Sequence, residues 1–183
     1  MTLDLGGTTA ELLHLGRGHT DNDLLVHLPA RGVWLTGDLV EESGPPMYGS
    51  GSFPLDWPAT IGRLRAALGE GDVLVPGHGA VVGAAFLTAQ HEQLAAAAAL
   101  IVELHAAGVL AEHAEAEAGN RWPFPEGLPG AGLAAAARDG YAALARAATP
   151  PRNPPVLARG ATPWNPPVAY GPVPSSRGLG PGG

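Results

Sequence analysis

Short apolar runs, each of a length suited to a buried β-strand, recur through the first 80 residues of this chain, at 24–26, 33–35 and 73–75. Runs of this kind bounded by Gly, Pro or Asp are typical of strands in the interior of a sheet. Glycine-bearing turns that carry a His or an Asp follow several of the strand candidates. Because functional sites tend to be built on loops at strand ends, this recurrence constrains the fold and also the place of any site.

The same pattern predicts an α/β (α+β) chain in which most strands precede the helices. Gly6-Gly7 suits a two-residue hairpin turn between the first two strands, since both positions tolerate positive φ. The predicted strands lie at 2–5, 8–15, 23–28, 32–36 and 72–75. The first predicted helix begins at Pro58, where a first-turn proline is favoured, and further helices are predicted at 83–110 and 133–147.

Composition limits both the chemistry and the partners. The chain has 183 residues, no Cys and seven His, so any metal must be held by His and carboxylate side chains. The net charge is −7, and residues 1–148 alone carry −10 with no basic stripe, which disfavours nucleic acid as a partner. The sequence lacks an apolar stretch of membrane-spanning length and does not start like a signal peptide. We therefore expect no membrane partner and a cytoplasmic location.

Residues 149–183 are dominated by Pro and Gly and contain few apolar anchors. Such a segment buries too little apolar surface to offset the entropy lost on ordering. The sequence therefore predicts one domain over 1–148, followed by a disordered Pro/Gly-rich tail over 149–183.

Three short polar elements carry the candidate chemistry: Gly18-His19-Thr20, Gly37-Asp38 and Pro76-Gly77-His78-Gly79. Imidazole and carboxylate are suitable ligands for zinc and other first-row metals. Taken singly, each element has an ordinary interpretation. A lone His in a turn is usually a solvated surface residue, and Asp after Gly is usually a turn former.

The order and context of these elements resemble the metallo-β-lactamase superfamily, which includes glyoxalase II, over about residues 1–95. The resemblance implies a four-layer αββα sandwich, of which residues 1–148 would form the C-terminal portion. It also implies a metal-dependent hydrolase, with zinc as the expected cofactor. His19 would bind a first ion, His78 a second, and Asp38 would bridge both. In a full-length form the two ions would activate a water that attacks an ester, thioester or amide-like bond of a small-molecule substrate.

The family's upstream His-x-His-x-Asp-His element has no counterpart in this sequence. That element supplies four of the seven ligands that the resemblance implies, so each half-site keeps one His and the shared Asp38. We therefore expect at most a weakly held ion, with some of the hydrogen bonds that orient its ligands missing. We also expect an exposed apolar sheet surface. A start assigned too late and a truncated gene both remain open explanations. The alternative function is a catalytically inactive, truncated remnant that binds metal weakly or pairs with a partner.

No catalytic residue beyond the three metal ligands is identifiable, and the sequence leaves the substrate and the oligomeric state open. Asp21 and Asp23 are interpreted as turn formers, with orientation of His19 as the alternative. Glu41 and Glu42 are interpreted as solvated carboxylates. His14 is interpreted as a strand histidine with an ordinary hydrogen bond, with approach to the site as the alternative. His27 is interpreted as a solvent-facing strand position, and the surface positions are His91, His105 and His113. The loop at 43–57, which includes Tyr48 and ends at Trp57, either shapes substrate access or closes the core.

Overall fold

Residues 1–49, 51–125 and 132–148 are described by the computed structural model of this chain. All of them belong to the first of two units, Met1–Thr149, and the predicted tail lies outside the described residues. The strands are β1 Thr2–Asp4, β2 Thr9–Leu13, β3 Leu25–Leu28, β4 Val33–Glu41, β5 Val73–His78 and β6 Val82–Gly83. The helices are α1 Trp57–Ala67, α2 Ala84–Ala106, α3 Ala114–Ala118 and α4 Leu133–Ala148. The predicted α/β class is confirmed.

The strands form one sheet in the order β1-β2-β3-β4-β5-β6. Only β4 and β5 run parallel to each other in the described sheet, and the other neighbouring strands are antiparallel. The hairpin between β1 and β2 has the predicted turn, since Gly6 and Gly7 have φ angles of 76° and 112°. Leu5 N–H donates to the carbonyl of Thr8 at 2.9 Å across this turn. Helix α1 connects the two parallel strands, and its first turn contains Pro58 as expected.

Two strands continue past their predicted ends. β4 was predicted to end at 36, but it runs to Glu41 through an irregularity at Gly37, whose φ angle is 53°. β5 was predicted to end at 75, but it runs through Pro76 to His78. Each extension supports the other, because Gly37 pairs with Pro76 and Glu41 pairs with His78. Gly and Pro mark a local irregularity here rather than the end of the strand.

The predicted helix bounds agree with the structure to within one residue, except at the C-terminal end of α2. α2 was predicted to reach 110, but it ends at Ala106, and Gly108 follows with a φ angle of 76°. A left-handed glycine just after the last turn is a common way to end a helix. No helix within the described residues is long and apolar enough to cross a membrane.

The two faces of the sheet differ in burial. Leu25, Trp34 and Leu74 on one face are at most 3% exposed and share a hydrophobic core with helices α1, α2 and α4. Successive residues of a strand point to opposite faces. On the opposite face, Leu35 lies next to Val26 and Val75 and is 40% exposed. Leu35 therefore confirms, at one position, the expected exposure of apolar sheet surface.

Asp72 anchors the start of β5 to the buried face. Its carboxylate accepts hydrogen bonds from the Trp34 indole N–H at 2.8 Å and from the Gly69 N–H at 2.9 Å. The hydrogen bond from Trp34, followed by that from Gly69, lowers the pKa of Asp72. Because the folded-state pKa is depressed, this contribution is present above the unfolded-state pKa and is lost as the pH falls through the folded-state pKa.

We expect Asp72→Asn to lower the free energy of unfolding by about 1 kcal/mol at neutral pH, because the hydrogen bonds lose their charged acceptor. The difference from wild type should begin to shrink below about pH 4, where the carboxyl of the unfolded chain becomes neutral, and should be lost as the pH falls through the lowered folded-state pKa. Urea titrations at neutral and strongly acidic pH measure this, with the exposed Glu70→Gln as control. A penalty that stays constant with pH would refute this account of Asp72.

Candidate metal centre

Because β4 and β5 are parallel, two of the predicted residues lie near each other at the C-terminal ends of these strands. Asp38 lies in the second half of β4, and His78 is the last residue of β5. The Asp38 Oδ1 atom is 3.7 Å from the His78 Nδ1 atom. Asp38 therefore reaches the site from within a strand, beyond the Gly37 irregularity, and not from a turn after the strand as the sequence had indicated.

His19 approaches from the loop between β2 and β3. Its Nε2 atom is 3.5 Å from Asp38 Oδ2, and its ring meets the edge of the Trp57 ring at a centroid separation of 5.8 Å. Gly18 allows this approach, because a Cβ atom there would lie 2.6 Å from the Leu39 side chain and 2.9 Å from Trp57. The structure thus brings together all three residues that the sequence singled out.

The loop that carries His19 is held by its own side chains. The Asp23 carboxylate accepts the Thr20 N–H at 3.0 and 3.1 Å and the Thr20 hydroxyl at 2.6 Å. Asp21 is exposed, and its backbone carbonyl lies 3.2 Å from the Nε2 atom of His14. These contacts fit the interpretation of the two aspartates as turn formers. The His19 Nδ1 atom is buried and has no hydrogen-bond partner among the described residues.

Glycine at position 77 makes room for Asp38. A Cβ atom at Gly77 would lie 1.9 Å from Asp38 Oδ1 and 3.0 Å from two backbone atoms, Asp38 N and Gly37 C. The residue before His78 therefore needs to be Gly because the two strands approach closely beside the carboxylate. This explains in physical terms why Gly precedes His in the third sequence element.

Glu41 is a site residue that the sequence interpretation missed. Its side chain is only 6% exposed, and both carboxylate oxygens lie 2.9 Å from His78 Nδ1. Its backbone N–H donates to the side chain of the buried Gln90 at 3.1 Å. The description of Glu41 as a solvated carboxylate was wrong. Its burial follows from the extension of β4, which makes Leu39, Val40 and Glu41 strand residues next to α2.

Glu42 also has a defined contact. Its carboxylate accepts the Ala80 N–H at 2.7 Å, and its backbone N–H donates to the His78 carbonyl at 3.1 Å. Glu42 is only partly buried, so its carboxylate faces solvent and also makes this one hydrogen bond to the backbone. Glu42 holds the turn that follows His78, whereas Glu41 contacts the imidazole itself.

The electrostatics of the cluster centre on His78. The hydrogen bond with Glu41, followed by the negative charges of Glu41 and Asp38, raises the pKa of His78. The side chains of His78, Asp38 and His19 are 64%, 40% and 25% exposed, so the cluster is open to solvent. A site that is open on one side leaves space for a ligand to approach.

The donor atoms fit a first-row metal ion. Ligands bound at about 2.0–2.1 Å in a tetrahedral shell lie roughly 3.3 Å from one another. The observed separations from Asp38 are 3.5 Å to His19 and 3.7 Å to His78. Asp38, Glu41 and His78 each offer one ligand atom, and these atoms lie within 4.8 Å of one another. Imidazole and carboxylate are chemically suitable donors for such an ion.

Most of the remaining histidines contact other side chains. His27 was interpreted as facing solvent, but its side chain is 16% exposed, stacks on Trp34 and lies 3.2 Å from a Glu11 carboxylate oxygen. His91 contacts Arg65, and His105 meets the ring of Tyr141 edge-on. His113 is exposed.

The aromatic residues of the 43–57 loop close the core. Tyr48 is 2% exposed and Trp57 is fully buried, with their rings 5.5 Å apart. Burial raises the pKa of the Tyr48 hydroxyl. The Trp57 indole N–H donates to the Leu39 carbonyl at 3.1 Å. For these two residues, core closure is therefore the correct alternative, and Trp57 also supports the ring of His19.

Part of the chain is similar in sequence to a curated protein. No family model matches the chain. A curated relative, the metallo-β-lactamase type 2 of Bacteroides fragilis, is 27% identical over 81 residues, which are 43% of this chain and 32% of that protein. The chain thus spans about a third of the length of the curated relative it matches.

Two solved structures resemble the chain over about half of its length. A metallo-β-lactamase from Pontibacter korlensis matches with a TM-score of 0.48 and 28% identity, covering 52% of this chain and 45% of that one. The structure of VMB-1 matches with a TM-score of 0.46 and 23% identity, covering 53% and 45%. Part of this chain is therefore similar to a metallo-β-lactamase, and the three residues that carry the sequence resemblance, His19, Asp38 and His78, lie together in the structure.

Proposed function

We propose that this chain provides a metal centre of a metal-dependent hydrolase that acts on ester, thioester or amide-like bonds of small molecules, with zinc as the metal. One observation carries the proposal. The two carboxylate oxygens of Asp38 each face a different imidazole, His19 at 3.5 Å and His78 at 3.7 Å. A carboxylate placed between two imidazoles in this way suits a shared or bridging role.

The residues of the chain have distinct parts in this proposal. His19, Asp38 and His78 would provide ligands of the metal centre, with Asp38 shared between the parts around the two imidazoles, and the exposed side of the cluster leaves room for a substrate. A bound divalent ion lowers the pKa of a bound water and polarises the bond under attack. Glu41 adds negative charge beside His78, which favours substrates that are not polyanionic.

A second candidate function is a non-catalytic module that binds metal weakly or pairs with a partner. The number of ligands around His19 favours this second function. Among the described residues, Asp38 is the one potential metal ligand that faces His19. Catalytic zinc typically has three protein ligands. The missing hydrogen-bond partner of His19 Nδ1 also leaves that ring less firmly oriented.

Hydrolysis assays test the proposal. The purified chain is incubated with chromogenic ester, thioester and lactam substrates, either with added Zn²⁺ or with a chelator. We expect hydrolysis that the chelator removes and that Asp38→Ala lowers by at least about tenfold, as loss of a metal contact should. If neither the chelator nor Asp38→Ala lowered the rate of hydrolysis below that of the Zn²⁺-supplied wild type, the proposal would be contradicted. Metal binding without hydrolysis of any substrate would favour the non-catalytic module.

A further inference from the structure

We infer that Glu41 is itself a metal ligand in this chain, and that Asp38, Glu41 and His78 together hold one divalent cation. This inference rests on the proposed function, because it assigns a further ligand to the same metal centre. Each of these three residues offers one potential ligand atom, and the three atoms lie within 4.8 Å of one another. His19 lies outside this group and meets only Asp38 among the described members of the site.

The orientation of Asp38 divides the site into two unequal parts. Oδ2 faces His19, whereas Oδ1 faces His78. Without Glu41, each part would contain one imidazole and one carboxylate oxygen. With Glu41, the part around His78 reaches three protein donors, the number that catalytic zinc sites typically have together with an open position.

The burial of Glu41 is the second argument. A carboxylate that is 6% exposed loses most of its hydration, and this loss is costly unless a positive charge or several hydrogen bonds compensate. Both oxygens of the Glu41 carboxylate lie 2.9 Å from the Nδ1 atom of His78. This nitrogen can donate only one hydrogen, so it can satisfy only one of the two oxygens. A cation held by both side chains would compensate the buried charge more fully.

The charge balance supports the same assignment. Asp38 and Glu41 place two carboxylates within 4.8 Å of each other, and like charges at this distance repel. A divalent cation would neutralise both, whereas a protonated His78 would neutralise only one. The competing interpretation is that Glu41 only positions His78, by accepting its Nδ1 hydrogen while Nε2 binds the metal.

Calorimetric titration of the full chain with Zn²⁺ separates the two roles, using Glu41→Gln, Glu42→Gln and Asp38→Ala. Gln keeps the size of Glu41 and an oxygen that accepts the Nδ1 hydrogen, but it is a poor metal ligand. We expect Glu41→Gln to weaken Zn²⁺ binding by about 100-fold, against at most roughly tenfold if Glu41 only positions His78 and Gln keeps that hydrogen bond. Glu42→Gln should change the affinity by less than about threefold. Glu42 is the matched control because it is the neighbouring carboxylate and its side chain accepts the Ala80 N–H, not a hydrogen from the His78 ring. Circular dichroism checks that each variant is folded, and the absorption spectrum of bound Co²⁺ should change in Glu41→Gln but not in Glu42→Gln.

The outcomes distinguish this inference from the proposed function. If Glu41→Gln binds Zn²⁺ like wild type and leaves the Co²⁺ spectrum unchanged while Asp38→Ala loses binding, Glu41 only positions His78. The inference is then overturned and the metal centre remains. If the folded wild type does not bind Zn²⁺, both the inference and the proposed function are contradicted.

Discussion

Replacing Gly77 by Ala should displace Asp38 and weaken Zn²⁺ binding by about 100-fold, because the new methyl group would occupy the position of a ligand. The Cβ atom would lie 1.9 Å from Asp38 Oδ1. A rotation of the Asp38 side chain alone does not relieve the overlap, because two backbone atoms of β4 lie 3.0 Å away. We also expect the free energy of unfolding to fall by about 1–3 kcal/mol, as in other overpacked sites.

Gly44→Ala is the matched control for this prediction. Gly44 lies in the loop after β4, and a Cβ atom there would have nothing within 4 Å. Zn²⁺ titration and urea unfolding of both variants give affinity and stability on the same samples. If Gly77→Ala bound Zn²⁺ as tightly as Gly44→Ala, Asp38 would not be the ligand that we propose.

Asp38→Ala should weaken Zn²⁺ binding to a similar or greater extent. The Asp38 carboxylate lies within 4 Å of both His19 and His78, so its removal takes a donor from both parts of the site. We expect Zn²⁺ affinity to fall by at least about 100-fold, and His78→Ala to have a similar effect because three donors fall to two. The Asp38 side chain is 40% exposed, so the stability of the fold should change little.

His105→Ala is the control for these two variants. His105 is an exposed histidine on α2 whose ring meets Tyr141 at 4.9 Å. Titrations of the three variants under the same conditions show whether binding is specific to the cluster. Equal losses in Asp38→Ala, His78→Ala and His105→Ala would refute the assignment of the site.

Much of the fold could be predicted because local signals determine it. The positive φ angles of Gly6 and Gly7 form the expected hairpin turn, and Pro58 lies in the first turn of α1. The ends of β4 and β5 could not be predicted in this way. Gly37 and Pro76 usually end strands, but here they pair with each other across a parallel ladder. Such a pairing depends on contacts between distant parts of the chain.

The same limit explains what was missed in the site. His19, Asp38 and His78 each stand in a short element with a recognisable order, so the sequence indicated all three. Glu41 has no such element. Its importance comes from its register with His78 and from its burial beside Gln90, and both require the full length of β4. A strand predicted to run through Leu39 and Val40 would have indicated that Glu41 is buried.

The number of metal ions held by each folded chain tests the account most directly. The purified protein is saturated with Zn²⁺, freed of unbound metal, and measured by inductively coupled plasma mass spectrometry against its concentration. We predict one ion per chain, because the described residues provide three donors around His78 but only two around His19. Two ions per chain would contradict this division of the site, and a folded chain that retains none would contradict the metal centre itself.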